Sequence, residues 1–130
     1  MKFNFISIFI LLSIFSCNKS IKTSNNKYQI KVDRIEVQEE IESGSLLKIK
    51  FFGMVGRNGT YQFSHFEEIR KDNEIELILW GNHNPNLPAI EMIVQLRGKT
   101  LEIPVENKGE FTISVRQPDD TYLRKSVQVK

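Results

Sequence analysis

"TLEIPVENKGEFTISV", residues 100–115, contains two short stretches in which every second residue is apolar, separated by a polar segment. Apolar side chains occupy alternate positions from 101 to 105 and again from 111 to 115. Successive side chains of a strand point to opposite faces, so the pattern predicts two strands, each with one buried face. Pro104 has no N–H for the ladder, so the first strand is expected to lie at a sheet edge or to end there.

The same alternation recurs along most of the chain from Tyr28 onward. Turn signals rich in Gly, Pro, Asn and Asp separate the alternating segments at intervals of about 8 to 12 residues, which is typical of an all-β sandwich. No segment combines a helical period with capping residues. We therefore expect an all-β domain of seven to eight strands, formed by segments 28–37, 47–55, 60–69, 74–80, 89–96, 100–105, 110–115 and 122–130.

Two of these segments depart from simple alternation. The apolar phase changes at Asp33 and Arg34, which predicts a bulge or a strand that moves from one sheet to the other. Segment 74–80 is apolar on one face and adds Ile78 and Trp80 on the second face. A strand of this kind is expected to be covered on both sides or to face a partner.

Residues 100–115 also resemble the corner between strands E and F of immunoglobulin-like domains. Gly109, Phe111 and Ile113 occupy the positions of that family's Gly-x-Tyr-x-Cys motif, with Phe in place of the corner tyrosine and Ile in place of the disulfide cysteine. The resemblance implies an immunoglobulin-like two-sheet sandwich over residues 28–130. It bears on the fold and leaves the function open.

The first 16 residues have the pattern of a secretory signal peptide. Lys2 is followed by a largely apolar run over residues 3–15 and by the small residue Ser16. The run is shorter than the roughly 20 apolar residues that a membrane-spanning helix needs, so removal of the segment is expected. The single cysteine, Cys17, stands directly after it.

Ile14-Phe15-Ser16-Cys17 resembles the lipobox of bacterial lipoproteins. The resemblance implies that the Cys17 thiol receives a diacylglyceryl group and that Cys17 becomes the mature N-terminus, anchoring the protein to the cell envelope. Asn18 in place of Asp favours the outer membrane, by resemblance to the sorting rule of enteric bacteria. The richness in Asn, Lys, Ile and Phe is typical of an AT-rich genome such as those of the Bacteroidota. The alternative is an incidental cysteine at the signal boundary of a simply secreted protein.

The remaining chain divides into a linker and one domain. Residues 17–27 are expected to comprise the acylated cysteine and a polar, flexible linker. The domain is expected to occupy residues 28–130. The domain carries 14 of the 18 basic and all 16 acidic side chains, for a net charge of −2. This charge offers no phosphate-binding surface, so no nucleic-acid partner is expected.

The loop after Trp80 is the candidate binding site. An exposed indole next to amide and imidazole groups could stack on a sugar ring or serve as a protein hot spot. The alternative is that Trp80 fills the second face of its sheet or a rim of the sandwich, or belongs to the core, while Asn and Pro only make the turns. The candidate residues are Trp80, Asn82, His83, Asn84 and Asn86.

Metal binding and catalysis have weaker support. His65 shares a strand face with Tyr61 and Phe63, which favours a partly buried structural histidine. His65 and His83 could form a copper-type site with Met54 or Met92, because imidazole and thioether suit copper. Glu67 and Glu68 are adjacent on a strand and should point to opposite faces, so they do not form a catalytic pair. No catalytic residue, metal ligand or cofactor is assigned.

These features together indicate a lipid-anchored envelope lipoprotein with a non-catalytic binding or assembly module. The expected partners are the membrane, through the anchor at Cys17, and an envelope protein or a glycan. A periplasmic metal-binding or carrier sandwich of the copper type is the alternative. Convergence of His65, His83 and a methionine would favour it.

Overall fold

A computed structural model describes residues 26–130 of the chain. The expected signal segment 1–16, the expected acylation site Cys17 and the expected linker as far as residue 25 lie outside the described residues. Within 26–130 all regular elements are strands, and no helix is present that could cross a membrane.

The expected all-β sandwich is confirmed, with eleven strands in place of seven or eight. The number is larger because segments 28–37 and 47–55 each divide into two strands, and a further short strand forms at Glu40–Ile41, outside the expected segments. The strands are β1 (Asn26–Gln29), β2 (Arg34–Val37), β3 (Glu40–Ile41), β4 (Leu46–Phe52), β5 (Met54–Gly56), β6 (Tyr61–Arg70), β7 (Glu74–His83), β8 (Val94–Gln95), β9 (Lys99–Pro104), β10 (Gly109–Arg116) and β11 (Tyr122–Val129).

Strand β7 is the centre of the larger, six-stranded sheet. It pairs along one edge with β6, antiparallel. Its other edge is shared, because β1 pairs with the C-terminal half and β10 runs parallel to the N-terminal half. Strands β11 and β3 complete this sheet. The opposing layer consists of β2, β4 and β9, with the short pair β5 and β8 extending it.

The core lies between the two layers and comes from the alternating residues that the sequence indicates. Side chains of β4, β7 and β10 at these positions are almost completely buried. Lys48 and Lys50 of β4 point to solvent, as the alternation predicts. The main buried side chains are Leu47, Ile49, Phe51, Ile75, Leu77, Leu79, Phe111, Ile113, Val115 and Val127.

The chain changes sheets between β1 and β2, which confirms one of the two interpretations of the phase change at Asp33. Strand β1 belongs to the larger sheet, and β2 pairs with β4 in the other. Buried Gln117 holds the crossing point. Its amide accepts from the Val32 N–H at 2.9 Å and donates to the Val32 carbonyl at 2.8 Å, so it acts as a short piece of neighbouring strand.

The corner between β9 and β10 also crosses between the sheets. Strand β9 lies at the edge of its sheet and ends at Pro104, so both expectations for this proline are confirmed. The connection 105–108, which begins with buried Val105 and continues with three polar residues, then leads into β10 of the larger sheet. Gly109 begins β10 with φ = +115°, a left-handed conformation that favours glycine.

Three predicted boundaries differ from the structure. Strand β7 continues to His83, three residues past its expected end at Trp80, so Asn82 and His83 lie in the strand and not in the predicted loop. Strand β1 begins at Asn26, two residues before the expected domain start, because Asn26 and Lys27 pair with the end of β7. The segment expected as a strand over 89–96 is a strand only at Val94–Gln95. Residues 89–93 form an exposed loop, since no neighbouring strand pairs with them.

The strand directions separate two ends of the sandwich. The proximal end contains Asn26, the turn 57–60 and the loop 84–93, because Asn26 and Tyr61 both pair with His83. The distal end contains the turns 71–73 and 105–108, where the Asn107 side chain donates to the Asp72 carbonyl at 3.4 Å.

Replacement of Gln117 tests the sheet-crossing contact. We expect Gln117→Leu to lower the free energy of unfolding by about 2–4 kcal/mol, because the buried N–H and C=O of Val32 lose their partners. Urea denaturation measures the change. Gln128→Leu, at an exposed strand position, is the matched control and should change stability little. Equal stability of the two variants would contradict the role of Gln117.

Candidate functional site

Trp80 lies on the outer face of the larger sheet, near the proximal end of β7. The core residues of β7 point to the opposite face, and Trp80 is half-buried. The Lys27 ammonium lies 4.2 Å from the centroid of the indole ring. The indole N–H donates to the Glu67 carboxylate at 2.8 Å. Side chains from β1 and β6, the strands on either side of β7, therefore hold the indole in one position.

The other predicted binding residues do not gather around this indole. Asn82 shares the outer face with Trp80. His83 points to the inner face, where its ring stacks on Tyr61 with the centroids 4.4 Å apart. Asn84 and Asn86 form the turn that follows, where the Asn86 N–H donates to the Asn84 side chain at 3.0 Å. The Asn84 side chain therefore shapes the turn, as the alternative interpretation of these asparagines predicts.

The inner face at the proximal end is closed by aromatic rings. Tyr28 meets Tyr61 edge-to-face at 5.8 Å, and its hydroxyl donates to the Val55 carbonyl. A Cβ atom at Gly81 would come within 2.4 Å of the Tyr28 ring, so glycine is required there. Burial, together with the nearby Tyr61 hydroxyl, raises the pKa of Tyr28 to about 12. His83 therefore belongs to a structural aromatic cluster.

The prediction that His65 is partly buried is wrong. The register between β6 and β7 shifts between Phe63 and His65, which marks a β-bulge at Ser64. The extra residue reverses the alternation, so Phe66 takes the inward position and His65 is exposed beside Trp80. The Ser64 hydroxyl lies 2.8 Å from Nδ1 of His65.

The geometry does not support the copper-type site. His65 pairs with Trp80 on the outer face, whereas His83 lies on the inner face, so a layer of backbone separates the two imidazoles. Met54 and Met92 are both exposed. Among residues 26–130 no three His, Cys, Asp or Glu side chains lie close enough together to hold a metal ion.

Glu67 and Glu68 point to opposite faces, as their adjacency on β6 predicts. Glu67 pairs across from Ile78 on the outer face, and Glu68 pairs across from Leu77 on the inner side. The Glu67 carboxylate accepts the indole N–H of Trp80. The two carboxylates therefore share no reaction centre.

A surface depression of about 360 Å³ lies beside Gln117 and includes Asp119. Two hydrogen bonds from Thr121 lower the pKa of Asp119, with the hydroxyl donating at 2.6 Å and the backbone N–H at 3.1 Å. Both bonds lie within the turn that joins β10 to β11. The carboxylate therefore stabilises the turn, and its pKa has a structural cause.

Sequence inspection missed the partners of Trp80 and the position of β6. Lys27 was assigned to the linker, and only the start of β1 at Asn26 brings it over the indole. Strand β6 has ten residues and, within residues 26–130, pairs only with β7. Its other edge is open over most of its length. No signal in the sequence marks this position, since segment 28–37 is as long as segment 60–69.

The described residues therefore define an all-β sandwich. On its outer face Lys27 and Glu67 hold the Trp80 indole, and the neighbouring strand β6 has a long open edge. No protein family, curated protein or solved structure matches the chain. Function must be inferred from the contacts of the chain's own residues.

Lys27→Ala should release the indole of Trp80. We expect the free energy of unfolding to fall by about 0.5–1 kcal/mol, the range for an exposed cation–π pair. Acrylamide quenching of Trp80, the single tryptophan of the chain, should increase because one ring face is uncovered. Lys108→Ala, in the distal turn, is the control. Unchanged quenching in the Lys27 variant would contradict the contact.

The raised pKa of Tyr28 predicts a dependence of stability on alkaline pH. The pKa is about 12 in the folded protein, against 10.0 for an ordinary tyrosine. The neutral form is therefore favoured by folding, so this stabilisation is complete below pH 10 and is lost as the pH rises from about 10 to about 12. Titration of tyrosinate absorbance should show a late step near pH 12 from Tyr28. Tyr28→Phe should abolish this late step, and its persistence would contradict the assignment.

Proposed function

We propose that this chain is a lipid-anchored lipoprotein of the bacterial cell envelope, in the outer membrane, whose sandwich binds a protein partner without catalysis. Acyl chains at Cys17 hold the domain at a membrane surface, and the partner adds to the open edge of β6. The observation that carries the binding proposal is the ten-residue strand β6, which pairs on one side only within the described residues.

The anchor rests on the sequence Ile14-Phe15-Ser16-Cys17 and on its distance from the domain. Eight residues, 18–25, separate Cys17 from Asn26, where β1 begins. Two or three acyl chains give stable membrane attachment, whereas one chain gives marginal binding. A domain joined to Cys17 by so short a segment stays within reach of the lipid surface.

The open edge of β6 suits recognition by strand addition. Within residues 26–130 no second strand pairs with β6, so its backbone N–H and C=O groups that point away from β7 can pair with an extended segment of another protein. The strand is largely exposed, including the apolar side chain of Ile69. Such a partner gains main-chain hydrogen bonds from β6 and contacts to its alternate side chains.

The same strand carries features that restrict which segments can pair with it. The bulge at Ser64 interrupts the regular edge, and Glu67, Glu68 and Arg70 place charges along the remainder. Bulges and charges are common devices against unselective pairing at sheet edges. A partner must therefore match the charges of residues 67–70, which gives the edge selectivity.

A protein partner fits these contacts better than a glycan. Stacking on a sugar ring requires an open aromatic face, and Lys27 already covers one face of the Trp80 indole. The indole N–H is occupied by Glu67. Trp80 instead connects β7 to β6 through its bond to Glu67. An added strand would lie along the other edge of β6.

Cys17→Ala tests the anchor. The wild-type protein should partition into the detergent phase, sediment with outer membranes in a density gradient and yield an acylated N-terminal peptide beginning at Cys17. The variant should lose both the acyl mass and the membrane association, because no other cysteine can accept the lipid. An unacylated, soluble wild-type protein would overturn the anchor.

Photo-cross-linking tests the β6 edge. A benzoylphenylalanine at Ile69 should form one discrete adduct in intact cells, which mass spectrometry identifies as a single envelope protein. Tyr122 is the matched control, since it lies on the outer face of the same sheet with 40% exposure against 41% for Ile69. Equal adducts from both positions, or none from Ile69, would contradict binding at this edge.

A further inference from the structure

One short loop at the proximal end exposes three large apolar side chains. Ile90 is 61% exposed, Met92 48% and Ile93 57%. All three belong to the loop 84–93, which follows directly after β7. Neighbouring apolar side chains left in solvent mark an interaction surface on a folded domain.

The loop is fixed in place by its backbone. The Gly59 N–H donates to the Ile90 carbonyl at 3.0 Å, and the Asn84 N–H donates to the Thr60 carbonyl at 2.9 Å. Both bonds attach the loop to the turn 57–60 of the same end. The apolar side chains are therefore displayed by a braced segment.

The surroundings of the loop combine apolar and basic side chains. Ile93 and exposed Met54 line one surface depression, together with Arg34 and Arg97. Exposed Arg57 stands in the adjoining turn. The acidic side chains of this region are Glu91, Asp33 and Glu36, the last of which pairs with Arg34 at 3.3 Å. Apolar side chains with arginines among their neighbours suit the boundary between acyl chains and phosphate headgroups.

The point at which the chain joins the sandwich indicates what covers the loop. Asn26 pairs with His83, so the segment from Cys17 arrives at the end that carries the loop 84–93. Residues 18–25 span at most about 30 Å when fully extended, so acyl chains on Cys17 bring this end close to the lipid. The distal end is separated from it by the length of β7, ten residues or about 33 Å.

We propose that the loop 84–93 docks on the lipid surface, with Ile90, Met92 and Ile93 inserted among the headgroups. This inference rests on the proposed anchor at Cys17. The loop acts as a second, weaker attachment that sets the orientation of the domain. The long axis of β7 then stands away from the membrane, and the open edge of β6 faces sideways.

Depth-sensitive labelling tests the docking. Met92→Cys is produced as the full chain, labelled with an environment-sensitive fluorophore and reconstituted into phosphatidylethanolamine and phosphatidylglycerol vesicles. Acylation of Cys17 leaves the engineered thiol as the reactive one. Leu46→Cys is the matched control, because Leu46 is 50% exposed but lies in β4, whose first residues are next to the distal end.

We expect the label at position 92 to shift to the blue and to be quenched several-fold more than the label at 46 by nitroxide-bearing lipids. Equal quenching at the two positions on vesicle-bound, acylated protein would overturn the docking and leave the anchor intact. A blue shift without lipid quenching would overturn it in favour of a protein partner. Failure of the protein to acquire lipid or to bind vesicles would overturn the anchor and the docking together.

Discussion

The bond pair between Gln117 and the backbone of Val32 fixes the point at which the chain crosses from one sheet to the other. Ile30 and Val32 are both buried at this crossing, so the backbone there has no water to satisfy its polar groups. A side-chain amide that both donates and accepts solves this problem. Because the chain leaves the larger sheet after β1, this strand pairs only with the C-terminal half of one β7 edge. The N-terminal half of that edge pairs with β10.

This placement of β1 determines how the domain would relate to a membrane. Because Asn26 lies at the proximal end, a lipid on Cys17 would hold the end that carries the exposed loop 84–93 near the membrane. The edge of β6 runs along the side of the sandwich, away from that attachment. Under the proposed function, one end therefore serves the lipid surface while one side serves a protein partner, and the two surfaces do not compete.

Period-two alternation predicted the core well because it depends only on neighbouring residues. Phe51 and Phe111 are buried where it places them. It failed at His65, where a single-residue bulge reverses the faces, and over 89–93, where apolar residues alternate without a strand to pair with. The site was harder to predict because it depends on register. Lys27, Glu67 and Trp80 meet only because three strands pair in one alignment.

The orientation of the domain is the central claim, and amide hydrogen exchange tests it most directly. The acylated protein on vesicles would be compared with the Cys17→Ala protein in the presence of the same vesicles. The account predicts slower exchange in the turn 57–60 and the loop 84–93, with no change in the turns 71–73 and 105–108. Protection of the distal turns, or no difference between the two ends, would contradict it.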